Sequence, residues 1–192
     1  FVERPCQSVC GMDAIGVDDH GRATIDHDRC VACGQCLVNC PFGAIVDKGQ
    51  IYQVVRAMMS GEEVIAIVAP AFVGQFGKAC TPDKFVAGMK QLGFSRVVEV
   101  AIGADICTIE EAKDFAEKVP AEQPYMATSC CPAWHSMVHK LFPDQAGNIS
   151  MTLTPMVFTA RLLKAENPGC KIVFVGPCAA KKLEAIRENI RS

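Results

Sequence analysis

Val64-Ile65-Ala66-Ile67-Val68-Ala69-Pro70 is the stretch that decides the fold. It is apolar, partly β-branched and closed by a proline, so it reads as a strand running into a loop. Three more runs share this form: 96–101 before Gly103, 125–128 before Cys130, and 171–175 before Gly176-Pro177. Helix-patterned stretches separate them, at 81–92, 108–118, 136–141 and 156–165. Strand and helix in alternation predict an α/β lobe with a four-stranded parallel sheet flanked by helices. Ligands of such sheets sit at the carboxyl ends of the strands. Cys130-Cys131 and Cys178 both fall at predicted strand ends. Just upstream, 50–60 reads as a helix stopped by Gly61.

Residues 1–48 have another texture, poor in long apolar runs and rich in Cys, Gly, Asp and His. Small cluster-binding modules look like this, because the metal replaces much of the core. Cys30-Val31-Ala32-Cys33-Gly34-Gln35-Cys36-Leu37-Val38-Asn39-Cys40-Pro41 has the spacing C-x2-C-x2-C-x3-C-P. That is the bacterial iron–sulfur run: three thiolates reach three corners of one 4Fe-4S cube, and the fourth ligates the other cluster of a two-cluster protein. Zinc sites use paired C-x2-C knuckles instead. Cys6-x3-Cys10 followed by Gly11-Met12-Asp13-Ala14-Ile15 echoes Cys36-x3-Cys40 followed by Pro41-Phe42-Gly43-Ala44-Ile45. Under the crossed rule, Cys10, Cys30, Cys33 and Cys36 make one complete 4Fe-4S site. Cys6 and Cys40 are half of a second, partial one. Gly11 stands where a proline is usual. His20 and His27 read as solvated loop residues. The expected organisation is a ferredoxin-type α+β domain at 1–48, shortened at its start, and an α/β lobe at 49–192. Both ends read as cuts within a domain: the chain opens on Phe1-Val2-Glu3, with no initiator Met or leader, and closes on a charged helical pattern at 188–192.

Bulk properties narrow the function. A net charge of −2 argues against a nucleic-acid partner. No run approaches the roughly 18 apolar residues of a membrane span. Six of the twelve cysteines lie in the first 40 residues at ligand spacing, unlike a disulfide scaffold. Clustered cysteines without a leader predict a reducing, cytoplasmic setting.

Thr128-Ser129-Cys130-Cys131-Pro132-Ala133-Trp134 is hard to explain as packing. It is followed by Gly176-Pro177-Cys178-Ala179-Ala180-Lys181-Lys182-Leu183-Glu184. Together these resemble TSCCPxW and PCxxKxxE, the first two of three signature motifs of FeFe hydrogenases. The resemblance implies reversible reduction of protons to H2, with heterolytic splitting at iron and electrons arriving from ferredoxin or a similar carrier. It implies that Cys131 and Cys178 hold the 4Fe-4S part of an H-cluster, which also contains a diiron subsite. It makes Cys130 the proton donor beside that subsite, and Lys181 the hydrogen-bond donor to one of its cyanides. Ala69-Pro70-Ala71 matches the family's APA/APS stretch, which lines the second cyanide, and Pro177 flanks the site. Ile109-Glu110-Glu111-Ala112-Lys113-Asp114 resembles the family's EExxE element. Glu111 and Asp114 then take the two relay positions, three apart on one helix face. Ser150, five residues before Pro155, takes the hydroxyl position of the relay, and Glu184 supports the cluster loop.

The sequence departs from the family's commonest group at three places. Gly176 stands for a Met, Met156 for a Gln, and Asp114 for a Glu. The third motif, with the last two H-cluster cysteines, is absent, so this stretch alone is not expected to assemble an active H-cluster. Other readings are a hydrogen-sensing relative, an iron–sulfur assembly protein of the hydrogenase-like type, and a plain two-cluster ferredoxin. The paired Cys130-Cys131 speaks against the first two, and the α/β lobe against the last. Cys80, Cys107 and Cys170 lie outside ligand spacing and read as structural thiols. Trp134 reads as a packing residue, His135 and His139 as ordinary helix residues, and Lys182 as a surface charge.

Overall fold

The computed structural model describes residues 4–187; the sequence readings at 1–3 and 188–192 fall outside them. In chain order the elements are α1 (Pro5–Ser8), β1 (Ile15–Val17), β2 (Ala23–Ile25), α2 (Gln35–Val38), α3 (Ile51–Met59), β3 (Val64–Val68), α4 (Pro82–Gln91), β4 (Arg96–Glu99), α5 (Ala101–Lys118), α6 (Pro132–Leu141), α7 (Pro155–Glu166), β5 (Lys171–Val175) and α8 (Ala179–Ile186). Contacts divide them into two units. One is Gly49–Glu122 with Met151–Pro177; the other is the chain up to Lys48, then Gln123–Ser150, and the chain from Cys178 onward.

The first of these units is the α/β lobe. Its sheet has order β4-β3-β5, all parallel, with Val68 level with Glu99 on one side and Val175 on the other. β3 has both edges paired and is buried along its whole length, which is why it is apolar at every position. Val64, Ala66 and Val68 pack with Met89 of α4, with Phe94, and with Val54, Ala57 and Met58 of α3. α7 contributes Val157 and Leu163, both almost fully buried, and packs on β3. α4 starts where Thr81 caps it, the Thr81 hydroxyl accepting from Lys84 N–H at 3.3 Å, with Pro82 in the first turn.

Two sequence expectations are corrected in the α/β elements. The sheet has three strands among the described residues, not four: 125–128 belongs to the other unit. There Ala127 makes one isolated parallel bridge to Ile149. The run is short and half polar, and Tyr125 is exposed, so it does not supply a core face. Secondly, Gly103 does not mark a loop. The helix begins at Ala101, directly after β4, and Gly103 lies inside it against α7. A Cβ there would sit 2.2 Å from the Pro155 carbonyl oxygen and 2.3 Å from Thr159 Oγ1. Glycine is required here for close helix approach, not for a break.

The second unit is small in its elements and knitted by point contacts. β1 and β2 form an antiparallel ribbon with Ile15 opposite Ile25. α1 packs on α2, and α6 on α8. One core cluster among its described residues is Val31, Ala133 and Ala180, joined by Met12, Met137 and Cys178. Two lysines clasp it: Lys140 donates to the carbonyls of Asp28 and Cys30, and Lys182 pairs with Asp47 and donates to the Lys48 carbonyl. Among the described residues, no helix is long and apolar enough to cross a membrane.

Candidate functional site

The two cysteine runs repeat in three dimensions as they do in sequence. Cys6 lies in α1 and Cys36 in α2, and these helices pack together. Cys10 Sγ accepts from Ala14 N–H at 3.3 Å, and Cys40 Sγ accepts from Ala44 N–H at 3.3 Å. Three residues after each of these cysteines, Asp13 (φ 54°) and Gly43 (φ 59°) turn the chain through the left-handed region. Ala32 (φ 54°) and Gly34 (φ 83°) do the same between Cys30 and Cys36, and Cys30 Sγ accepts from Ala32 N–H at 3.3 Å. Left-handed turns curl the backbone so that its N–H groups face sulfur. That is the donor arrangement an anionic thiolate needs.

Electrostatics sort the thiols. Backbone N–H groups, those of Ala44 and Phe42 first, hold the Cys40 thiol below its ordinary range. Burial pushes the Cys36 thiol up, and the neighbouring Cys30 and Cys33 add to this. All twelve cysteines are free. No three His, Cys, Asp or Glu side chains among the described residues are gathered for one metal ion.

The second motif pair lies in the same unit. Cys131 and Cys178 are the N-cap residues of α6 and α8, two helices that pack side by side. Each cysteine therefore sits at the positive end of a helix dipole, which favours an anionic ligand set. Cys130 is exposed. Trp134 Nε1 donates to the Thr128 carbonyl at 3.1 Å, so the tryptophan holds the loop in place. The cluster loop lies against these helix starts. Val31 shares a core with Ala133, Ala180 and Cys178, and a Cβ on Gly34 would sit 3.2 Å from that of Ala179.

Lys181 and Glu184 form a buried ion pair at 2.7 Å, their side chains 12% and 7% exposed. The ammonium is held in one direction and keeps further N–H groups for another acceptor. Ser150 is buried, its N–H bonded to the Ala127 carbonyl at 2.8 Å. The rings of His135 and His139 lie 4.4 Å apart between centroids, tilted by 43°. Burial, then His139, holds His135 below the usual imidazole range.

The remaining candidates lie in the α/β lobe. Ala69-Pro70-Ala71 leaves β3 in a single 3-10 turn. Pro177 ends the exit from β5, next to Gly176. A Cβ on Gly176 would meet the Phe174 ring at 2.5 Å and Ala69 Cβ at 3.0 Å, so Phe174 fills the room that a side chain at 176 would need. Glu111 and Asp114 are both half-buried on α5; Asp114 pairs with Lys118 at 3.2 Å, and Glu110 with Lys113 at 2.8 Å. Cys107 and Cys170 are buried, and Cys80 lines an apolar cavity with Phe72, Phe76 and Phe85. Sequence reasoning passed over Lys140 and took Lys182 for a free surface charge. Their acceptors include backbone carbonyls more than 100 residues away, which no local pattern announces.

Comparison with known proteins agrees with the motifs. Residues 62–192 match the family model of the iron only hydrogenase large subunit, C-terminal domain, and residues 2–51 match the LdpA Fe-S cluster-binding domain. The NADP-reducing hydrogenase subunit HndD of Solidesulfovibrio fructosivorans is 30% identical, over 82% of this chain and 31% of that protein. Iron hydrogenase 1 of Clostridium pasteurianum is 32% identical, over 78% of this chain and 29% of its own length. The cytosolic Fe-S cluster assembly factor NAR1 of Candida dubliniensis is 24% identical, over 88% of this chain and 32% of that protein. The chain thus spans about a third of the length of these relatives. By its match from residue 62 onward, behind an Fe–S cluster-binding domain, the chain belongs to the iron-only hydrogenase large-subunit family.

Proposed function

We propose that this protein is an iron–sulfur oxidoreductase that interconverts protons and H2, exchanging electrons with ferredoxin or a similar carrier. The observation that supports this best is the packing of the Cys30–Cys36 loop, through Val31 and Gly34, on the helix starts that follow Cys131 and Cys178. It brings the Cys30–Cys36 loop, read here as the point of electron entry, against the helix starts of a second thiolate pair within one unit. In this reading Cys10, Cys30, Cys33 and Cys36 hold a 4Fe-4S cluster, and Cys6 and Cys40 contribute to another. Cys131 and Cys178 would hold the cube of an H-cluster, which supplies the redox and H2-binding chemistry when bound.

The protein's own groups then have these roles. The exposed Cys130 thiol takes up and gives back a proton at Sγ. Ser150, Glu111 and Asp114 pass that proton on. A hydroxyl both donates and accepts, and a carboxylate accepts, so the three can alternate. Lys181, braced by Glu184, directs an ammonium N–H at an anionic ligand. By the resemblance, Ala69, Pro70 and Ala71 take the positions that line a cyanide in the family, and Pro177 is the proline of the second motif.

An iron–sulfur assembly role is the second reading, favoured by the likeness to NAR1. Anaerobic reconstitution with iron and sulfide analysis and EPR is the first test. About four irons, lost with Cys33→Ala and kept with Cys131→Ala, are expected for the entry site. A zinc-loaded protein without a cubane signal would end the electron-entry reading. For the holoenzyme, H2 evolution from reduced methyl viologen should vanish with Cys130→Ala. Cluster transfer to apo-ferredoxin with no H2 turnover in either protein would favour assembly instead.

A further inference from the structure

Lys140 stands near the far end of α6 from Cys131, about 13.5 Å along the helix at 1.5 Å per residue. Its Nζ donates to the Cys30 carbonyl at 3.1 Å and also to the Asp28 carbonyl. Earlier on α6, Ala133 shares a core cluster with Val31, and Met137 packs against that cluster. The 28–31 segment is therefore held at two places on one helix, by apolar contact and by a cation. Lys140 has no carboxylate partner in any ion pair found among the described residues. Asp28 and Arg29 line the same shallow cavity; Arg29 is paired with Asp13 at 3.5 Å, and the Asp28 carboxylate is in no ion pair found among the described residues. So the charge of Lys140 is not cancelled by a paired anion, and it is bonded to the backbone of the residue that carries a cluster thiolate.

We propose that Lys140 is a positioning residue that ties the Cys30 loop to α6 and, by its fixed positive charge, raises the reduction potential of the cluster at Cys10, Cys30, Cys33 and Cys36. This rests on reading those four cysteines as cluster ligands. On reduction the cluster takes one electron from the reduced carrier, which is oxidised by one electron; no bond forms or breaks. Reduction adds one negative charge to the site, and a nearby cation stabilises that state more than the oxidised one. Because Lys140 is exposed, the effect falls with ionic strength.

The test is an EPR-monitored redox titration of the reconstituted full chain beside Lys140→Arg, Lys140→Gln and Lys140→Met. At low salt, Gln and Met should make the cluster harder to reduce by about tenfold in the equilibrium, or 59 mV for one electron. Arg should stay at the unaltered midpoint, and added salt should narrow the difference. If Met lowers iron occupancy by loosening the loop, Gln, which keeps a donor and loses the charge, decides. A Gln midpoint equal to that of the unaltered chain, with iron content and EPR signal intact, overturns the role of Lys140 and leaves the cluster reading standing. Absence of any cubane signal from the unaltered chain overturns both.

Discussion

Lys181 and Glu184 are the most buried ion pair found among the described residues. They are close and largely withdrawn from water. Removing one partner leaves a buried charge alone. Lys181→Met should therefore lower unfolding free energy by about 3–5 kcal/mol, read by urea denaturation. Lys181→Met combined with Glu184→Leu should recover much of that loss. If the two changes simply add, the pair is not coupled and the bracing role fails. The cysteines offer a second test in metal-free protein. Cys40 is held as thiolate at lower pH by its backbone donors, while Cys36 needs higher pH because it is partly buried. Iodoacetamide near neutral pH, followed by peptide mass analysis, should label Cys40 before Cys36, and the gap should close as pH rises through the thiol range. Equal labelling near neutral pH would contradict the N–H···S geometry. These residues were legible in sequence because ligand spacing and motif spelling are local. The bracing of Lys181 by Glu184 was not, since a motif does not say which of its members touch.

The α5–α7 crossing decides stability at the level of elements. Gly103→Ala places a methyl group on the Pro155 carbonyl, a backbone atom that cannot swing away. The helices must separate, and a loss of about 1–3 kcal/mol is expected by thermal or urea unfolding. A negligible loss would mean the crossing is looser than described. At the start of α7, Thr154 has a buried hydroxyl with no partner among the described residues, and its side chain caps no N–H. Thr154→Val keeps the shape and removes the unsatisfied group, so stability should hold or rise by up to about 1 kcal/mol. A clear loss would show that the hydroxyl has a partner after all. The same elements show what sequence could tell. β3, β5, α3, α4 and α7 were legible because their apolar periods and stop signals agree. Gly103 misled because a glycine for helix contact and a glycine for a loop look alike in sequence. The run 125–128 misled because its apolar residues face a small local bridge, not a sheet, and only tertiary pairing separates the two.

At the level of the molecule, the cysteine-rich segment up to Lys48 is held non-covalently by segments that come much later in the chain. Lys140, Lys182 and the Val31–Ala133–Ala180 core do this. A tryptic nick after the exposed Lys48 should thus leave both pieces together on native size exclusion. They should part in mild denaturant, and more readily with Lys182→Met. Immediate release of the small piece would show that it folds and stands alone. Sequence texture separated 1–48 from the rest, but it could not show that 123–150 and the chain from Cys178 return to it. Such returns are long-range contacts, which composition does not encode.

The order in which the ribosome delivers the chain gives that return a further consequence. Cys178 follows Cys40 by 138 positions. At 5–20 residues per second, about 7–28 s pass before the helix that packs on the Cys30–Cys36 loop exists. Through that interval the six thiols are out before the helix start on which Val31 and Gly34 pack, open to stray copper, zinc or oxidant. The nascent protein therefore depends on whatever guards its thiols during synthesis, before it depends on anything that loads iron.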